Sequence, residues 1–275
     1  MRKSLFCLLL LLAPLVLRAE TLENLPYYGA ETMAKGDDYF RAQCRLDLKL
    51  PAEKKEGFAT LIWFHGGGLT GGSREFAPVP NDQIALVSAS YRLAPQAQLP
   101  HFLEDAAAAV AWTIKNIEKH GGDPDKVFVA GHSAGGYLAA MIGMDPRWLR
   151  PHRLRPQDLA GLIPVSAQVT THFKVKALRG ERRSGLIPVI DEYAPLYHVG
   201  KDLPPICLIT GERKIEYKSR VEENEFLAIT LKNLGHPLTE FHEVPGEDHG
   251  GIGAHSGPQI AAFIERVLSK AGAGK

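Results

Sequence analysis

Val127-Phe-Val-Ala-Gly-His-Ser-Ala-Gly-Gly136 decides the fold of this chain. Val127, Phe128 and Val129 are strand formers in an apolar run, and Tyr137-Leu-Ala-Ala-Met-Ile142 continues at helical spacing. Between them Gly131, Ser133 and Gly135 match G-x-S-x-G, a sharp strand-to-helix turn that leaves a serine hydroxyl exposed above a sheet. The glycines have a mechanical reason: the turn is strained, and a helix must pack close beside it. Ser133 also opens that helix, where free backbone N–H groups favour a developing negative charge. Glycine- and serine-rich loops produce the same five letters by chance, so the reading depends on what flanks them.

Outward from this turn, strands alternate with helices. Cys44–Leu50 alternates apolar and polar residues, as expected of a half-exposed strand at a sheet edge. Phe58–Phe64 is continuously apolar and suits a strand covered on both faces. Further strands are expected over Ile84–Tyr91, Leu159–Val165 (interrupted by Pro164), Ile206–Thr210 and Thr239–Val244. Helices are expected over His101–His120, Ser219–Leu234 (closed by Gly235) and Pro258–Lys270. Residues 20 to 40 read as an irregular lead-in. The alternation predicts an α/β domain with a mostly parallel sheet, right-handed crossovers and chemistry in loops at the strands' carboxyl ends.

The chain has 275 residues, 45% hydrophobic and 23% charged, enough for one large domain with an ample core. A net charge of +1 implies no general affinity for nucleic acid. Arg2 and Lys3 precede an apolar run, Leu5–Leu17, and Ala19 offers a small residue for cleavage. Residues 1–19 are therefore expected to be a secretory signal, which predicts an exported protein. An uncleaved anchor is the alternative, but the run is shorter than the ~20 residues a spanning helix needs. Once the leader is removed, Cys44 and Cys207 remain, expected as separate buried thiols rather than a disulfide. No C-x-x-C, H-E-x-x-H or other metal-ligand spacing occurs, so neither cofactor nor metal is expected.

The domain is expected to fill residues 20–275, with a cap-like insertion over about 146–198. Between Pro146 and Arg183 basic residues crowd the chain, with only Asp158 and Glu181 against them. Such a strip suits either anionic substrates or an ordinary solvated face.

A serine hydroxyl needs a base, a group that orients the base, and donors for the oxyanion. His65-Gly66-Gly67-Gly68 follows a strand, where the amides of Gly67 and Gly68 can join that of Ala134 as donors. Of 11 histidines, His249 lies in Gly246-Glu-Asp-His-Gly-Gly251, between the last strand and the last helix, and is the candidate base. His65 is expected to hold its own loop, His242 to lie within a strand, and His132 to diverge from Ser133 in the tight turn. The orienting acid should follow Ile206–Thr210. The position three residues after Gly211 is Lys214, so the candidates are Glu216, preferred because it lies just before the next helix, and Glu212. Asp248 abuts His249 and is poorly placed to accept from it.

With these motifs, and with Tyr91-Arg-Leu-Ala-Pro95, Glu104-Asp105, Trp112 and Gly122-Asp-Pro-Asp125 between them, the chain from about Phe58 onward resembles the α/β-hydrolase superfamily. Within it the chain is similar to hormone-sensitive-lipase-type carboxylesterases and BD-FAE-like acetyl esterases. The resemblance implies a mostly parallel sheet of about eight strands with helices on both faces and a small cap. It implies ester hydrolysis through Ser133, His249 and Glu216, on short acyl esters, acetylated carbohydrates among them. In such enzymes the spacing back from the glycine that closes the following helix, here Gly235, lands on Glu216. The departures are Glu216 in place of aspartate and a lead-in too short for a full N-terminal helical cap, which implies an open site. The expected partner is a small-molecule or carbohydrate ester, with no nucleic acid and no stable membrane insertion after cleavage. Formamidase or peptidase chemistry would use the same parts, and a non-catalytic binding protein on this fold is the reading from a different class.

Overall fold

Apolar runs become buried strands here because both faces of the sheet are covered. The computed structural model describes residues 20–52, 55–79, 83–182 and 184–273. The expected leader over 1–19 lies outside them. Eight strands form one sheet: β1 (Thr21–Pro26), β2 (Arg45–Lys49), β3 (Phe58–Phe64), β4 (Ala85–Ala89), β5 (Gly122–His132), β6 (Gly161–Val165), β7 (Ile206–Thr210) and β8 (Thr239–Glu243). Their order is β1-β2-β4-β3-β5-β6-β7-β8. β1 and β2 run antiparallel to their neighbours, and β4 through β8 pair in parallel. This is the α/β-hydrolase fold that the motifs led us to expect.

The helices are α1 (Ala30–Lys35), α2 (Asp38–Gln43), α3 (His101–Asn116), α4 (Ala134–Met144), α5 (Pro146–Leu149), α6 (Phe173–Leu178), α7 (Arg220–Asn233), α8 (His249–His255) and α9 (Gly257–Ala273). Alternate residues of the central strands feed two cores. Ile62, Phe64, Val127, Val129 and Leu208 pack with α3, α4 and α7, through Phe102, Tyr137, Leu138 and Leu227. Leu61, Trp63, Phe128, Ile163 and Ile209 face the other way, onto Ile260, Phe263 and Ile264 of α9. α4 is buried along its whole length, as the all-apolar run after Ser133 requires.

Three expectations needed correction. The lead-in is not irregular: it holds β1, α1 and α2, and β1 covers β2, which is therefore not the edge strand. A register shift between Leu22 and Leu25, with Asn24 at φ 58°, breaks the alternation that would have marked β1 as a strand. The elbow strand begins at Gly122 rather than Val127, because Gly122 already pairs with Phe58. The last helical region begins at His249, in a glycine-rich stretch with little helix propensity. There Asp248 caps α8 by accepting from the Gly251 amide at 2.7 Å.

Cys44 and Cys207 are both buried and free. Residues 146–198 hold β6 between two connections, the second of which carries α6. Much of their positive charge is answered locally: Arg147 pairs with Asp145, Arg155 with Asp158 and Arg179 with Asp191. Lys176, almost fully buried, donates to the carbonyls of Gly185 and Ile187. Among the described residues, no helix is long and apolar enough to cross a membrane.

Candidate active site

β5 delivers Ser133 into a backbone conformation few non-glycine residues adopt, φ 54° and ψ −113°. The Ser133 amide donates to the Val165 carbonyl at 2.8 Å, which ties the turn to β6. A Cβ on Gly135 would stand 1.9 Å from the Phe64 carbonyl oxygen, and one on Gly131 2.5 Å from the Gly135 carbonyl carbon. Only hydrogen at these positions lets α4 start against β3 and β5.

The end of β3 carries His65-Gly66-Gly67-Gly68, with Gly67 at φ 105° and Gly68 at φ 63°. The motif Tyr91-Arg-Leu-Ala-Pro95 braces this loop. The Tyr91 hydroxyl donates to the His65 carbonyl at 2.9 Å, its ring stacks on the His65 imidazole, and the Ala94 amide donates to the Leu69 carbonyl. Arg92 is locked in turn by the fully buried Asp105, which accepts from its backbone amide and its guanidinium. Asp105 also accepts from the Tyr28 hydroxyl, so the front end of the chain reaches the same brace. Burial tends to push the His65 pKa down, consistent with a neutral ring holding its loop.

His249 is the first residue of α8. Its Nε2 lies 2.9 Å from Ser133 Oγ, and its Nδ1 lies 2.6 Å from Glu216 Oε1. Thus the structure brings together Ser133, His249 and Glu216. Glu212 is elsewhere: its carboxylate accepts from the Gly246 amide at 2.8 Å. Asp248 is engaged as the α8 cap. Glu216 is buried, and burial alone would raise its carboxyl. Hydrogen bonds from His249, the Ser166 hydroxyl and the amides of Tyr217 and Gly211 outweigh that and hold its pKa down to about 2. The carboxylate is therefore ionised wherever the imidazole can act as a base.

His132 has a task that its sequence position did not reveal. Its Nε2 sits 2.7 Å from the His249 backbone carbonyl, and a Cβ on Gly253 would meet its ring at 3.0 Å. Burial, then the neighbouring His249, lowers its pKa to about 4. A neutral His132 can thus donate to the carbonyl and hold the start of α8. Ser166, at φ 45°, was also missed; it follows β6 and its hydroxyl orients Glu216.

Gly67, Gly68 and Ala134, the residues whose amides the sequence offers as oxyanion donors, lie just beyond the ends of β3 and β5, neighbouring strands. None of the three makes a hydrogen bond among the described residues. A hydroxyl against an imidazole whose far nitrogen meets a carboxylate can lose its proton as it attacks an acyl carbon. Away from this site, Cys207, Glu240 and His242 place potential metal-ligand atoms within 4.8 Å of one another on β7 and β8. Glu240 there is already paired with Arg266. Cross-strand register builds that group, and no linear motif could have revealed it.

The BD-FAE family model matches residues 46–149, a span that includes the glycine loop and Ser133 but neither Glu216 nor His249. Esterase LipC of Mycobacterium tuberculosis is 25% identical over 74% of this chain and 56% of its own length. Phenmedipham hydrolase of Pseudarthrobacter oxydans is 32% identical over 55% of this chain and 36% of its own length. The chain thus spans about half the length of the first of these curated relatives and less of the second. Among solved structures, a truncated carbohydrate esterase from gut microbiota superposes with a TM-score of 0.69 at 17% identity, over 92% of this chain and 98% of that one. Thermogutta terrifontis esterase 2, phosphoramylated by tabun, gives 0.64 at 21% identity, over 93% and 94%. At these identities the structural likeness speaks to the fold. The chain thus has the α/β-hydrolase fold, and over residues 46–149 it is similar to the BD-FAE family.

Proposed function

We propose that this chain is an exported serine esterase that cleaves carboxylic esters of short acyl groups through an acyl-enzyme on Ser133. The observation that carries the reading is the continuous line of contacts from Ser133 Oγ through His249 to Glu216. In the reaction Ser133 Oγ attacks the ester carbonyl carbon as His249 Nε2 takes its proton. Glu216 holds the Nδ1–H tautomer and balances the imidazolium. The amides of Gly67, Gly68 and Ala134 receive the oxyanion, each worth on the order of 10²–10³ in rate. His249 then returns the proton to the leaving alcohol, and a water repeats the sequence to release the acid.

Acetylated carbohydrates belong to the proposed substrates; one structural neighbour is itself described as a carbohydrate esterase. Residues 146–198 are the proposed cap, and the charge and apolar pattern of residues 2–19 supports export.

The test is release of nitrophenol from p-nitrophenyl acetate by the wild type and by Ser133→Ala, together with labelling by a fluorophosphonate. Loss of label and a fall in turnover on the order of 10⁶ are expected for the variant. Equal rates in the two proteins would end the proposal, and an unlabelled, inactive wild type would favour a binding role.

A further inference from the structure

Beside the triad lies a cavity of about 450 Å³, lined by Gln168, Phe173, Tyr217, Lys218, Arg220 and Glu223 among others. Two of these residues connect it to the site. The Tyr217 ring packs 5.4 Å from the His249 ring, and the Phe173 ring borders Gly68 of the glycine loop. The cavity is therefore within reach of one end of a substrate held at Ser133 between His249 and that loop.

Arg220 is the unusual residue of the wall. It is only 4% exposed, yet its guanidinium is poorly satisfied. Nε has no hydrogen-bond partner, Nη2 makes one long contact of 3.3 Å to Gln168 Oε1, and Nη1 lies 3.7 Å from Glu223 Oε1. Glu223 is shared between Arg220 and other donors. Oε2 accepts from the amides of Val169 and Thr170 and from the Thr170 hydroxyl, and Oε1 accepts from the Ser219 hydroxyl. Lys218 adds a second cation at the rim, its Nζ 5.5 Å from the centre of the Tyr217 ring. Besides its loose pair with Glu223 and the Tyr217 ring, whose centre lies 5.6 Å from the guanidinium carbon, Arg220 has unfilled donor capacity that a second carboxylate would satisfy.

We propose that this cavity is a subsite for a carboxylate carried by the substrate, received by Arg220, so that the preferred esters are anionic. The inference rests on the esterase reading above. A carboxylate matches the fork of a guanidinium in a way that a neutral acyl chain or a sugar hydroxyl does not. The wall is otherwise suited to a short linear or aryl segment, with Phe173 and Tyr217 on either side. Within the basic strip of residues 146–183, Arg147, Arg155, Lys176 and Arg179 are engaged locally.

The test uses two matched pairs: mono-p-nitrophenyl adipate against its neutral methyl ester, and 4-acetoxybenzoate against methyl 4-acetoxybenzoate. The first pair puts the charge on the acyl side and the second on the alcohol side. The wild type should favour the anionic member of at least one pair by roughly tenfold to a hundredfold in kcat/KM, as a charged hydrogen bond warrants. Arg220→Gln should abolish that ratio and Arg220→Lys should keep part of it. Because the readout is a ratio within one preparation, partial misfolding of a variant cancels. Titration calorimetry of adipate into Ser133→Ala, with and without Arg220→Gln, reads the subsite without catalysis. If p-nitrophenyl acetate is hydrolysed but neither pair shows a charge preference, or if Arg220→Gln keeps one, the subsite proposal is overturned. If adipate binding depends on Arg220 while no ester is hydrolysed, the subsite stands and the esterase reading fails.

Discussion

Replacing Glu216 by Gln removes one charge and turns one acceptor oxygen into a donor. The carboxylate now accepts four hydrogen bonds: His249 Nδ1 and the Tyr217 amide on Oε1, the Gly211 amide and the Ser166 hydroxyl on Oε2. A glutamine can be seated in two ways. With its oxygen toward His249, its NH₂ faces the Gly211 N–H, while the Ser166 hydroxyl turns to accept. With its NH₂ toward His249, the Tyr217 N–H is orphaned, and the imidazole must accept at Nδ1 and carry its proton on Nε2, where it cannot deprotonate Ser133. Either seat leaves one buried backbone donor unmet, which costs about 1–3 kcal/mol of stability. The first seat also loses a charge-assisted hydrogen bond to the imidazolium, about 1.5–3 kcal/mol or roughly 10- to 100-fold in rate. The second gives the wrong tautomer, a loss on the order of 10⁴. We expect kcat/KM for p-nitrophenyl acetate to fall between these limits, with the variant still folded by thermal melting. Glu212→Gln, which touches only a loop amide, should stay within about threefold of wild type. A folded Glu216→Gln with near-wild-type activity would refute the reasoning, and a larger loss in Glu212→Gln would transfer the role to that residue.

Two further outcomes follow from the geometry. Gly135→Ala forces a Cβ to within 1.9 Å of the Phe64 carbonyl oxygen. Since that oxygen belongs to a central strand, stability should drop by about 3 kcal/mol or more, roughly 6–12 °C in Tm; an unchanged melt would contradict the placement of α4 against β3. Burial, then the neighbouring His249, holds the pKa of His132 down to about 4 in the folded state, against an ordinary 6.5. Between those values the unfolded chain binds more protons, so this residue's contribution is complete above pH 6.5 and drains away as pH falls toward 4. His132→Gln should flatten the pH dependence of urea midpoints in that window, by at most about 1.4 kcal/mol per pH unit. An identical slope in the two proteins would remove His132 from the account.

The legible parts were those written in consecutive residues. Runs such as Phe58–Phe64 and Ile206–Thr210 announce their strands because burial on both faces requires unbroken apolarity. The elbow around Ser133 and the loop at Gly66–Gly68 were legible because close backbone approach leaves glycine as the only tenant. β1 was hidden by its polarity and its bulge, and α8 by glycines that no local propensity favours. His132 and Ser166 looked unremarkable in sequence, because their partners lie on other strands and loops.

From its residues in order, then, the chain determined an alternating α/β domain, the serine on its sharp turn, the glycine loop after β3 and the histidine that follows the last strand. Tertiary structure alone decided that Glu216 rather than Glu212 meets His249, that His132 secures α8, and that Arg220 is buried with only a loose carboxylate pair beside the site. The reason is distance along the chain. Ser133 and His249 stand 116 residues apart, and contacts of that kind are set by strand order, register and crossover length, which no local pattern of side chains encodes.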